Sequence, residues 1–126
     1  MKIESLAPAP IDARIIISGI HLDLTAALKQ AVATKVGKLL RHEPRIDRVR
    51  VDLEEDTSRA VAARFVAKGR IEIGGPDIVA EAAAPNGYKS IDDLVSRLDR
   101  GLRKRATALE SRRKRPAPTD HDRDGL

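Results

Sequence analysis

The sequence contains no cysteine and no tryptophan, and it has one Phe, one Tyr and one Met. Without cysteine there is no disulfide scaffold, no thiolate metal site and no thiol nucleophile, and a cytoplasmic setting is the expectation. Aromatics make up 2% of the chain. A core must therefore be built from Ile, Leu, Val and Ala, and no array of rings is available on which single-stranded bases could stack. No apolar run approaches the roughly 20 residues needed to span a bilayer, and Met1 to Pro10 lacks the apolar centre of a secretory signal. Histidine is scarce as well. His21, His42 and His121 fall on a loop, a helix end and a tail, with no second ligand at metal spacing.

The remaining chemistry is equally thin. Glu54-Glu55-Asp56 reads as a solvated acidic cluster at a strand end, and Asp92-Asp93 as negative charge complementing the start of a helix. Gly74-Gly75 opens no helix and so makes no phosphate loop. The expectation is a protein without catalytic residues, cofactor, metal, membrane association or small-molecule substrate.

What the chain does have is aliphatic periodicity and basic charge. Its 126 residues are 41% hydrophobic and 34% charged, enough for one domain with a single core. Residues 1–12, with Pro8 and Pro10 and no period, read as a flexible leader. Ala13 to Gly19 is short and β-branched, a first strand. Leu24, Leu28, Ala31, Val32, Val36, Leu39 and Leu40 recur at three and four residues, predicting a helix capped by Thr25 and stopped at Glu43-Pro44. Arg48 to Glu54 alternates as a half-buried strand. After a turn at Asp56 to Arg59, one parity from Val61 through Ala63, Phe65, Ala67, Gly69 and Ile71 to Ile73 predicts a long inward-facing strand. Gly74 to Asp77 is a second turn, and Ile78, Ala80, Ala82 and Ala84 face inward on a last strand. A final helix from about Tyr88 buries Ile91, Leu94, Val95, Leu98, Leu102, Ala106 and Leu109 and ends before Pro116. Residues 116–126 read as a disordered tail. The fold class is thus α+β in the order β-α-β-β-β-α: a four-stranded mixed sheet with two helices packed on one face, the domain occupying residues 13–115.

The net charge is +5, and it is unevenly placed. Residues 28–53 carry +4 and residues 91–115 carry +5. In the first helix and just beyond it stand Lys29, Lys35, Lys38, Arg41 and Arg45; the last helix holds Lys89, Arg97, Arg100, Arg103 and Lys104 among others. Lys35 with Lys38, and Arg97 with Arg100 and Lys104, share a side at helical spacing, which suits a phosphate track. Between residues 97 and 115 nine cations meet only Asp99 and Glu110, too few for a self-neutralised solvated face. No helix-turn-helix pair is present, because three strands separate the helices.

These residues resemble the bacterial ribosome hibernation-promoting factor and ribosome-associated inhibitor family. Leu24-Thr25-x-Ala27-Leu28-Lys29, Val32-x-x-Lys35-x-x-Lys38-Leu39 and Arg45-Ile46 match its first-helix motif. Tyr88-x-x-Ile91-Asp92-x-Leu94-x-x-Arg97-Leu98-x-Arg100-x-Leu102-x-Lys104 matches its last-helix signature, and the resemblance runs over residues 13–110. Where the family often has an aromatic pair after the first helix this chain has Arg41-His42 or His42-Glu43, and Ser90 and Gly101 replace a usual Ala and a usual polar residue. The resemblance implies a stress- and stationary-phase translation inhibitor that lodges in the mRNA–tRNA channel of the small ribosomal subunit, near the decoding centre, with basic helices on the rRNA. Lys29, Lys35, Lys38, Arg97, Arg100 and Lys104 occupy the family's basic positions, with Lys89 and Arg103 as local additions. Read without the resemblance, the same charge columns fit a module for some other structured RNA.

Overall fold

The computed structural model describes residues 12–114. The first strand, β1, is Ile15–Ile20, starting two residues later and ending one residue later than its β-branched run suggested. Thr25 then ends the extended chain: its Oγ1 accepts a hydrogen bond from Leu28 N at 3.1 Å and starts helix α1, Ala26–His42. Glu43 closes α1 with its N–H on Leu39 O, where the following proline forces the backbone out of helix. Strand β2 follows as Arg48–Glu55, β3 as Phe65–Glu72, β4 as Ile78–Ala84 and helix α2 as Gly87–Lys114.

The sheet order is β1-β2-β3-β4, with β1 and β2 parallel and the other two pairs antiparallel. That is the mixed sheet expected from a strand–helix–strand start followed by a meander. Val49, Val51, Leu53, Ala67, Ile71 and Ala82 all point to one face and are essentially inaccessible. Both helices cover that face: α1 brings Val32 and Val36, α2 brings Ile91, Leu94 and Leu98. The opposite face carries Arg48, Arg50, Asp52, Lys68 and Arg70 into solvent, partly paired through Arg50–Glu72 at 3.0 Å and Arg70–Asp77 at 2.8 Å.

The long third strand expected from Val61 is shorter. Val61–Ala63 forms a 3-10 turn with Val61 67% exposed, and β3 begins at Phe65. The apolar parity continues through these residues, but their partners do not: Phe65 is already paired with Glu55, the last residue of β2, and with Ala84, the last of β4. With no strand on either side the chain closes on itself instead: Ala63 N donates to Ala60 O at 2.9 Å, Asp56 N to Arg64 O at 2.8 Å, and the Arg59 side chain reaches Ala63 O through Nε at 2.8 Å.

Asp92-Asp93 also serves differently from the dipole role read in the sequence. The first turn of α2 holds no acid, and Asn86 starts the helix, its Oδ1 accepting from Lys89 N at 2.9 Å. Asp92 and Asp93 sit a turn further on, each in an ion pair. The leader and the tail, apart from Asp12, lie outside the described residues.

Candidate RNA-binding surface

Two glycines leave room where helix α2 packs on the sheet. A Cβ at Gly69 in β3 would stand 2.9 Å from Leu98 Cδ1, and one at Gly101 in α2 would stand 2.7 Å from Ile78 Cγ2. Gly101, a poor helix former in isolation, is therefore a packing residue.

Seated this way, α2 turns a defined basic flank outward. At 3.6 residues per turn Lys89, Arg97, Arg100 and Lys104 lie within about 80° of one another around the axis. This flank overhangs the edge strand: Arg97 Nη1 donates to Glu81 O of β4. Lys89 on the same flank is paired with Asp93 at 3.1 Å. On the other side of α2, Asp92 receives Lys35 from α1 at 2.8 Å, so Lys35 pins the two helices together. Arg103 pairs with Asp99 at 3.0 Å.

On α1, Lys38 lies on the side of Lys35, whereas Lys29 is nine residues from Lys38 and so about 180° away around the helix. Arg41 ends the outer surface of α1. Arg45, beyond it, is held by Glu43 through Nε at 2.9 Å and Nη2 at 3.1 Å. These bonds, ahead of burial, set the titration of the pair, with the Glu43 carboxyl below its ordinary range and the Arg45 guanidinium above its own.

The ten sequence-predicted cations thus divide by their partners. Lys35, Arg45, Lys89 and Arg103 are in ion pairs and Arg97 is on a backbone carbonyl. Lys29, Lys38, Arg41, Arg100 and Lys104 are without ion pair or side-chain hydrogen bond among the described residues, and all five are exposed. An exposed ion pair stabilises by about 0–1 kcal/mol, so even the paired members can exchange a carboxylate for a phosphate. Sequence reasoning did not single out Arg105, which turns inward: its Nη2 donates to Gly74 O at 2.6 Å and clips the β3–β4 turn to α2. That turn needs glycine, Gly74 and Gly75 having φ of 70° and 82°.

With the fold and its basic flank in place, comparison with known proteins is decisive. The family described as Sigma 54 modulation protein / S30EA ribosomal protein matches residues 15–110. The chain belongs to this family. Among its relatives, the ribosome hibernation promoting factor of Azotobacter vinelandii is 33% identical over 105 residues, covering 82% of this chain and 92% of that protein. The ribosome hibernation promoting factor of Escherichia coli K12 is 29% identical over 94 residues, covering 75% and 94%. A ribosomal subunit interface protein from Coxiella burnetii shares the fold with a TM-score of 0.64 at 19% identity, over 74% of this chain and 97% of that one. The N-terminal domain of Thermus thermophilus Protein Y does so at 0.59 and 21%, over 70% and 92%. The family is thus described by a ribosomal protein, and these curated relatives are named as ribosome hibernation promoting factors. Among the described residues no helix is long and apolar enough to cross a membrane.

Proposed function

We propose that this chain is a cytoplasmic ribosome hibernation factor that binds the rRNA of the small subunit in the mRNA–tRNA channel, near the decoding centre, and excludes translation substrates. The observation that carries the reading is the coincidence of the family match with the basic flank of α2, where Arg100 and Lys104 project without partners among the described residues. The mechanism is occupancy. Phosphates along an RNA groove replace solvent and carboxylates around these side chains, and release of the counterions condensed on the RNA drives binding. The rigid sheet behind α2 fixes the spacing of the cations, so the RNA is recognised by backbone shape without base readout.

Lys29, Lys38 and Arg41 extend the contact onto α1, while Lys35, Arg45, Lys89, Arg97 and Arg103 join by exchanging their present partners. Gradient profiles of stationary-phase cells with and without the protein test the assignment. The expected result is protein in the small-subunit-containing fractions. Its absence there, with retention on another structured RNA, would transfer the basic flank to that RNA.

A further inference from the structure

On the other flank of α1, beside the start of β1, lies a groove of about 350 Å³ that the proposed ribosome contact does not explain. Its volume is in the range of small-molecule sites. The floor is apolar, made by Ile15, Ala33 and Leu40. Gly37 keeps it open: a Cβ there would meet only Arg41 Nη1, at 3.7 Å, so the missing side chain is not forced by packing.

The polar groups around this floor differ in kind. Arg14 is held edge-on by Asp12, Nε at 3.0 Å and Nη2 at 2.8 Å from its carboxylate, which fixes the guanidinium plane while leaving its faces for stacking. Arg41, which also lines the groove, has no partner among the described residues. Gln30 and Thr34 also line the groove, and neither side chain has a hydrogen bond to any described residue. A flat group that stacks, edges that hydrogen-bond and one anionic end would satisfy all four. The Asp12 carboxylate repels an anion at the Arg14 end, so the charge belongs at Arg41.

We infer that this groove binds a single unpaired nucleotide, its base over the apolar floor against Arg14 and its phosphate on Arg41. The inference goes beyond the ribosome reading and shares only Arg41 with it. The nucleotide comes either from a free mononucleotide or from an extruded base of an RNA strand, and one experiment separates these sources. Isotope-labelled full-length protein is titrated, without ribosomes, with adenosine monophosphate, with a short oligoadenylate, with inorganic phosphate and with a short polyglutamate peptide, following backbone amide shifts.

The expected result is saturable shifts around Ile15, Gln30 and Gly37 from one or both adenine ligands, and none at those amides from phosphate or polyglutamate. Response to adenosine monophosphate identifies a free-nucleotide site; response to the oligomer alone identifies an RNA base. Gly37→Leu, which fills the groove, and Arg41→Gln, which removes its anion partner, should each weaken binding by about tenfold or more, with circular dichroism confirming the fold. The proposal is overturned if neither adenine ligand shifts these amides, if polyglutamate shifts them equally, or if folded Gly37→Leu and Arg41→Gln both bind as the parent does.

Discussion

Arg97, Arg100 and Lys104 are three cations on one flank with different work. Arg97 is fastened to the Glu81 carbonyl, whereas Arg100 and Lys104 have no partner among the described residues. Replacing Arg97 by Gln removes a hydrogen bond and should lower stability by about 1 kcal/mol; Arg100→Gln should stay within about 0.5 kcal/mol. Denaturant melts of the two variants measure the difference, and the order of their effects on RNA binding should be the reverse. Leu98, fully buried, marks the other extreme. Leu98→Ala opens a cavity costing roughly 2–5 kcal/mol, and any fall in binding should track the folded fraction. A pH effect belongs to Asp12, whose carboxyl is lowered to about 2, first by the side-chain hydrogen bond from Arg14 and then by the backbone bond from the same residue. A depressed carboxylate contributes stability above its unfolded pKa and loses it as pH falls through the folded value. Side-chain carbon shifts of Asp12 should therefore titrate near pH 2, and Arg14→Ala should return the midpoint toward 3.8.

At the scale of elements, the close seating of α2 has a direct test. Gly101→Ala improves helix propensity by roughly 1 kcal/mol, yet its Cβ meets Ile78 Cγ2 at 2.7 Å. The substitution should destabilise the parent and become favourable in an Ile78→Ala background, a coupling that a double-mutant cycle reads from four melts. How far such elements are legible in the sequence depends on where their causes lie. Helix α1 was readable end to end, because Thr25 and Glu43-Pro44 act within one turn of the boundaries they set. The turn at Val61–Ala63 was not, since its apolar alternation is that of a strand and what ends β3 is the exhaustion of its neighbours at Glu55 and Ala84. By propensity alone Gly101 is a poor helix residue, and its packing role shows only because Ile78, far away in sequence, lies beneath it. The basic columns were visible in the same way as α1, by spacing. Which cations are free was hidden, because the Lys35 partner is Asp92 on the other helix and the Arg97 partner is a backbone atom of β4.

For the whole molecule the governing quantity is charge held on a rigid frame. A net +5, concentrated on the two helices, predicts binding that weakens steeply with salt, the logarithm of affinity falling linearly with the logarithm of salt concentration. Losing Arg100 and Lys104 together should reduce that slope by about one to two units. The most direct measurement of the central claim is pelleting of small ribosomal subunits with the parent and with the triple variant Arg97→Glu, Arg100→Glu, Lys104→Glu at physiological salt, with circular dichroism on both. The account predicts that the parent pellets with the subunits and that the variant, still folded, stays in the supernatant. A folded triple variant that pellets as the parent does would contradict it, and would remove the α2 flank from the RNA contact.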